Sequence, residues 1–295
     1  MRTSWLAATT TATWTGDPDV RPAEVLRRAS GYLDRHGVES PDATAEILLM
    51  HVLGTDRAGL YARSSGLDSR EARMFGRAIC QRCAGTPVQH LTGDQPFRGI
   101  TLEVRPGVFV PRPETELLVG HALAEVGGRE DPVVVDAGTG TGAIALAVKD
   151  ERPDATVFAT DLSAEAVELA RANAVRLGLA VTVLEGDLLE PLPLVLRGGV
   201  DVVVSNPPYV PAEDVEDLPA EVRADPVLAL VGGIDVYERL GTQASGWLRG
   251  GGVLAVEIDA RLGDPVVRAL SSAFAEVRVE PDLAGRDRVV LARAP

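Results

Sequence analysis

The chain has 295 residues, 45 % of them hydrophobic, and 29 Lys and Arg against 43 Asp and Glu give it a net charge of −14. That length suits two domains, or one large domain with an appendage, and the negative charge argues against a nucleic-acid backbone as the main partner. No apolar run is long enough to span a bilayer, and two cysteines cannot build a disulfide framework.

The N-terminal stretch MRTSWLAATTTATW has one early arginine and a four-residue apolar patch. It fits neither a secretory signal nor an anchor, which predicts a disordered tail over 1–20 and a cytoplasmic protein. Residues 21–85 read as a small helical bundle. Pro22 and Pro41 suit first-turn positions, Ser40 and Asp68 suit N-caps, and Gly85 suits a terminator. Arg70, Arg73 and Arg77 recur at helical spacing on one face, with Arg82 close behind; this is either a solvated surface or a basic docking face. Cys80 and Cys83 form a lone C-x-x-C. His36, His51, His90 and His121 show no companion spacing, so two reduced thiols and no metal site are expected. Charge is uneven: 11 Arg against 10 Asp and Glu leave residues 1–90 at +1, while 18 Lys and Arg against 33 Asp and Glu leave 91–295 at −15.

Residues 86–113, within PVQHLTGDQPFRGITLEVRPGVFVPRPETE, alternate β-branched and polar positions around Gly99 and Pro106-Gly107, which predicts a hairpin linker. From 114 to 295 strand and helix periods alternate. PVVVDAG, ATVFATD, VTVLEGD, VDVVVSN and GGVLAVEI read as strands, and 142–149, 163–177 and 234–248 as helices. The alternation predicts right-handed βαβ units in an α/β, largely parallel, doubly wound sheet, which AEVRVEP and DRVVLARA could close as a hairpin. No internal repeat is evident.

VVVDAGTGTGAIAL sets Gly138, Thr139, Gly140, Thr141 and Gly142 between a strand and a helix, where glycines permit a tight turn and close approach of a ligand. Asp136 precedes the turn. Asp161 ends the next strand, placed to accept both ribose hydroxyls of an adenosine. The G-x-G-x-G spacing differs from the dinucleotide fingerprint and fits S-adenosylmethionine, which carries no phosphate; a nicotinamide or flavin dinucleotide and a purely structural turn remain the alternatives. At the third strand end, Asp187 suits the adenine amino group and Leu188 an apolar face, or the two are a strand-end aspartate and a core leucine.

In VVVSNPPYV a buried strand must stop at Asn206, because Pro207 and Pro208 lack the N–H a ladder needs. The two prolines make Asn206–Tyr209 a stiff corner at a strand end, where open α/β sheets keep their chemistry. SNPPYV, the glycine turn, Asp161, PVQHLTG, FRG, VPRPETELLV and AGRDRVVLAR together resemble the release factor glutamine methyltransferase family over about 21–293. The resemblance implies a Rossmann-like class I methyltransferase sheet and a substrate-recognition role for the helical part. It also implies transfer of a methyl group from S-adenosylmethionine to a glutamine amide, in the Gly-Gly-Gln loop of peptide chain release factors.

An amide nitrogen is a poor nucleophile because its lone pair is delocalised, so it must be oriented. The Asn206 side-chain oxygen and the Pro207 carbonyl would each accept one substrate N–H, with Tyr209 packed against the amide plane and Pro208 stiffening the corner. Asn206 also adjoins the cofactor. Thr115 and Glu116 of PRPETE either touch the cofactor's methionine end or simply start a helix. Two segments depart from the family pattern: EID, Glu257–Asp259, stands where Glu-Ile-Gly is usual, and GGIDVYERL is shorter than the usual form. Both bear on the peptide groove. The rival readings are a nucleic-acid adenine methyltransferase, for which acidity and the lack of a target-recognition region are unfavourable, and a non-catalytic binding protein or dinucleotide oxidoreductase. A monomer is expected.

Overall fold

The computed structural model describes residues 19–295, so the tail predicted over 1–20 lies outside the described residues except for Asp19 and Val20. Contacts divide the chain into a unit ending at Thr92 and a unit spanning Gly93–Pro295.

The first unit is helical: α1 (Pro22–Arg35), α2 (Pro41–Leu53), α3 (Arg57–Ala62), α4 (Ser69–Cys83) and α5 (Val88–Thr92). Ala29, Leu33, Leu48, Leu49, Phe75 and Ile79 are fully buried in its core. Pro22 and Pro41 open their helices, and Asp68 accepts the N–H groups of Arg70 and Glu71 at 2.7 Å in a capping box. Ser40 holds the N-cap position of α2 with φ 47°, and its side chain caps nothing. Gly85, at φ 98°, follows α4. Two expectations are corrected. Residues 88–92, read as the start of the hairpin linker, are a helix of this unit. Arg82 is buried rather than on the exposed face of Arg70, Arg73 and Arg77, because its position on α4 points inward with Ile79.

The second unit begins with an antiparallel hairpin, β1 (Asp94–Phe97) and β2 (Ile100–Glu103). Arg98 takes φ 49° in the two-residue turn between them, the left-handed conformation such a tight loop calls for. Its backbone N–H donates to the Glu116 side chain and its guanidinium to the Glu116 carbonyl and to Glu151, which accounts for the FRG motif. Then follow α6 (Thr115–Val126), β3 (Val133–Ala137), α7 (Ala143–Glu151), β4 (Thr156–Asp161), α8 (Ala164–Leu177), β5 (Val181–Glu185) and β6 (Val200–Ser205). The chain closes with α9 (Val227–Leu230), α10 (Ile234–Trp247), β7 (Leu248–Glu257), α11 (Gly263–Leu270), β8 (Glu276–Pro281) and β9 (Asp287–Arg293).

The sheet order is β5-β4-β3-β6-β7-β9-β8, with β3 to β7 parallel and β9 antiparallel to both neighbours. Alternate strand residues face two apolar layers. Val134, Val202, Val204 and Val253 pack against α6, α7 and α8, whereas Val135, Val203, Leu254 and Val256 pack against α10 and α11. Both faces being covered explains the unbroken valine runs. The last two strands pair as a hairpin, but the later one lies inside. Val289–Ala292 are all buried, while β8 alternates exposed and half-buried positions, and so β8 forms the edge.

The order reverses between β3 and β6. A doubly wound sheet opens a crevice at the carboxyl ends of its strands where this happens. Val134, Val135 and Asp136 pair with Val202, Val203 and Val204, so the glycine turn after β3 and the Asn-Pro-Pro-Tyr corner after β6 leave neighbouring strands side by side. The Ser205 hydroxyl donates to the Ala137 carbonyl at 2.7 Å and ties the two ends together.

Candidate active site

A cavity of about 920 Å³ opens at this reversal, entirely within the second unit. Gly138, Thr139, Gly140 and Thr141 line one side, Asp161, Asp187 and Leu188 the next, and Asn206–Tyr209 the far wall. Of the residues singled out in the sequence for the glycine turn and the PRPETE segment, Asp136, Gly142 and Glu116 do not line it.

The three glycines of the turn serve different ends. Gly138 and Gly140 have φ 76° and 56°, and a Cβ on either would meet nothing within 4 Å, so the turn presents bare backbone to the cavity. Gly142, at φ 86°, is required from within: a Cβ there would stand 2.9 Å from Leu146 Cδ1. Asp136 lies under the turn, fully buried, accepting from the Thr139 hydroxyl at 2.6 Å and the Ala145 N–H at 3.1 Å. Burial pushes its carboxyl up to about 7, against the pull of those two donors. It is a brace for the turn. Asn173 of α8 is a second brace, found by no sequence signal: its amide donates to the carbonyls of Thr141 and Glu103 at 3.0 Å and accepts the Glu103 N–H at 2.8 Å.

Asp161 accepts the Gly140 N–H on Oδ2 at 2.8 Å and the Ser163 N–H on Oδ1 at 2.9 Å. Each oxygen keeps a lone pair for a diol, as a carboxylate accepts about four hydrogen bonds. Burial raises this carboxyl, and the two N–H groups oppose the rise. Asp187 also lines the cavity, but its carboxylate is paired with Arg239 of α10. Leu188 holds φ 48°, a conformation rare for a leucine, and turns its side chain to the cavity wall. The fit to an adenosyl ligand is therefore good on three counts: an exposed glycine backbone, a diol acceptor and an apolar wall.

At the other end, the Asn206 Nδ2 donates to Thr115 Oγ1 at 3.2 Å, leaving Asn206 Oδ1 as an acceptor. Tyr209 packs against the core on the α10 side, and burial, reinforced by the Glu257 charge, pushes its phenol up to about 12. The corner is clamped from behind. Val210 and Val231 form a parallel bridge, with the Val210 N–H donating to Leu230 O at 2.9 Å and the Gly232 N–H to Val210 O at 3.0 Å. Thr115 lines the cavity, whereas Glu116 turns away to the Arg98 backbone, one residue along a helix being about 100° around it.

Arg112 and Asp225 are a pair that the sequence did not reveal. Asp225, its side chain fully buried, accepts from the Arg112 guanidinium and from the Val110 N–H at 3.1 Å, fastening the segment before α6 to the segment before α9. They stand 113 positions apart.

Residues 24–93 match the PrmC N-terminal domain family and residues 99–222 the methyltransferase small domain family. A release factor glutamine methyltransferase of Deinococcus radiodurans is 44 % identical over 92 % of this chain and 97 % of its own length. One of Moorella thermoacetica is 43 % identical over 90 % and 98 %. The chain belongs to the release factor glutamine methyltransferase family. Among solved structures, the T. thermophilus 16S rRNA N2 G1207 methyltransferase in complex with AdoMet and guanosine aligns with a TM-score of 0.53 at 22 % identity, covering 68 % of this chain and 50 % of that one. That likeness shows the shared fold. Among the described residues no helix is long and apolar enough to cross a membrane.

Proposed function

We propose that this chain transfers a methyl group from S-adenosylmethionine to the side-chain amide nitrogen of a glutamine in a peptide chain release factor, the Gly-Gly-Gln loop being the target. What carries the reading is that Asn206–Tyr209 and the glycine turn share one cavity in a member of this family. When bound, S-adenosylmethionine supplies an electrophilic methyl group on a sulfonium sulfur. The chain supplies position. Asn206 Oδ1 and the Pro207 carbonyl take the two N–H bonds of the target amide, and the Tyr209 ring covers its plane. On taking that methyl group the target nitrogen would become cationic and would shed one proton to water. Asp161 and the turn 138–141 hold the adenosine end, with Leu188 against the base. The enzyme works as a monomer in the cytoplasm, where its substrates are, and nucleic acid is not its substrate. Transfer of labelled methyl into purified release factor, with duplex DNA and ribosomal protein as controls, tests this; label in DNA alone would overturn it.

Asp161→Ala weakens cofactor binding. Loss of charge-assisted hydrogen bonds to a diol costs about 1.5–3 kcal/mol, roughly 10- to 150-fold in Kd. The Gly140 N–H loses its acceptor in the same variant, which acts in the same direction. Calorimetric titration with S-adenosylhomocysteine measures it. An unchanged Kd together with tight NADH binding would favour the dinucleotide reading.

The helical unit recognises the protein substrate. Arg70, Arg73 and Arg77 are exposed on α4, and they offer a basic face to an acidic partner that the second part of the chain, at −15, repels. A fragment beginning at Gly93 keeps both cores of the second unit. It binds S-adenosylmethionine normally and methylates intact release factor far more slowly; turnover equal to the full chain would remove the recognition role. A triple Arg→Glu change slows transfer likewise and weakens or reverses its salt dependence.

A further inference from the structure

Asn206 serves an amide substrate only while its oxygen, and not its NH2 group, faces the cavity; turned over, it would present donors to donors. The backbone corner does not decide this, since a side-chain amide rotates about its last bond at little cost. Two residues from other elements do. Thr115 opens α6 and is 3 % exposed, and its Oγ1 accepts from Asn206 Nδ2 at 3.2 Å. A hydroxyl that accepts there has its own proton for a further partner, and the Glu257 carboxylate, which lines the same cavity with its buried Oε2 unpartnered, is an acceptor left open for it.

Glu257 ends β7, one register step beyond the Ser205–Val256 pair, and so lies beside Asn206 at the floor of the cavity. It is 2 % exposed, and its Oε2 has no hydrogen-bond partner. The Tyr237 hydroxyl fixes its backbone by donating to the Glu257 carbonyl at 3.0 Å. A buried carboxylate of this kind destabilises the fold relative to an apolar side chain of similar size, so packing alone gives no reason for a glutamate here. Its placement within reach of the one side chain that orients Asn206 supplies the reason.

We infer that Thr115 and Glu257 are positioning residues that hold the Asn206 side chain with its oxygen toward the substrate amide. The inference rests on the proposed role of Asn206 as an amide acceptor. It gives the glutamate of EID a task that does not depend on the residue two places on.

The state of Glu257 sets the direction of the chain. Glu114 and Thr115 face it from the start of α6, Arg288 from β9, Tyr209 from the corner and Tyr237 from α10. Burial pushes its carboxyl up to about 7, Thr115 and Arg288 pull it down, and Glu114 adds to the rise. Ionised, Glu257 accepts the Thr115 proton and Thr115 accepts from Asn206. Protonated, it donates to Thr115, whose own proton then turns toward Asn206 and favours the inverted amide. Turnover therefore falls as pH drops through the Glu257 value.

The test uses the full chain, with single-turnover kcat, KM for release factor, the Kd of S-adenosylhomocysteine and the melting temperature read in parallel. Thr115→Val lowers kcat by about 10- to 100-fold, the scale of a misplaced catalytic contact, with the Kd within about twofold. Thr115→Ser, which restores the hydroxyl, recovers kcat to within about threefold of the parent. Glu257→Gln, whose side chain cannot titrate, flattens the acid limb of kcat near pH 7. A Thr115→Val enzyme within about threefold of the parent in kcat overturns the inference, as does an acid limb that survives Glu257→Gln. If Thr115→Val does not fold, Glu257→Gln and its pH profile decide alone. Asn206→Ala run alongside separates the two levels: if it too turns over like the parent, the role of Asn206 fails, and if it is inactive while Thr115→Val is not, only the positioning fails.

Discussion

Asn206→Ala lowers single-turnover methyl transfer by about 100- to 1,000-fold, the loss seen when one pre-oriented transition-state hydrogen bond is deleted. S-adenosylhomocysteine binds the variant nearly as it binds the parent, because the glycine turn and Asp161 leave different strands from Asn206. The effect falls on kcat. An amide nitrogen gains nucleophilicity only when both N–H bonds are held, and the Pro207 carbonyl alone holds one. The Thr115 hydroxyl loses its donor in this variant, and that is the single side-chain hydrogen bond Asn206 makes among the described residues, so the fold is little disturbed. Transfer within about threefold of the parent would make Asn206 a strand terminator and nothing more.

Gly232→Ala reaches the same corner from behind. A Cβ at 232 would stand 2.1 Å from the Pro208 carbonyl oxygen and 2.7 Å from its carbon, both backbone atoms. Relief takes a displacement on the order of 1 Å, and such a shift of a reacting contact costs about 100-fold in rate. The stiffness that makes the corner useful transmits the shift: Pro207 and Pro208 fix their own φ angles, so Pro208 cannot move without Pro207 and Asn206. Forcing an extra methyl into a packed contact also lowers stability by about 1–3 kcal/mol. Kinetics of transfer to release factor, with the melting temperature as a companion, measure both. A variant with parental kcat would show that the clamp between Val210 and Val231 plays no part in holding the Asn-Pro-Pro-Tyr segment.

Gly232 stands in GGIDVYERL, a segment that drew notice in the sequence only for its length. Its requirement for glycine is invisible there, since nothing local demands it: its N–H donates to Val210, 22 positions earlier, and the crowding comes from Pro208. The same is true of Arg112 with Asp225 and of Asn173 with Thr141, pairs that meet only when distant segments fold together. By contrast, Asp68 was legible as an N-cap, because the N–H groups it accepts lie within one helical turn of it.

The sequence by itself determined the alternation of strands and helices, the ends of the parallel strands at Gly138 and Asn206, and the contrast between a helical N-terminal part and an acidic α/β part. Each follows from local causes: valine runs suit strands covered on both faces, prolines end ladders, and positive φ selects glycine. Only the tertiary structure decided which strands are neighbours. Placing β3 beside β6 opens the crevice that both motifs share, placing β7 next brings Glu257 beneath Asn206, and placing β9 inside β8 sets Arg288 against Glu257. Register and strand order are set by burial summed over many residues, so a side chain's partner across the sheet is fixed by the whole packed core and not by its own surroundings in the chain.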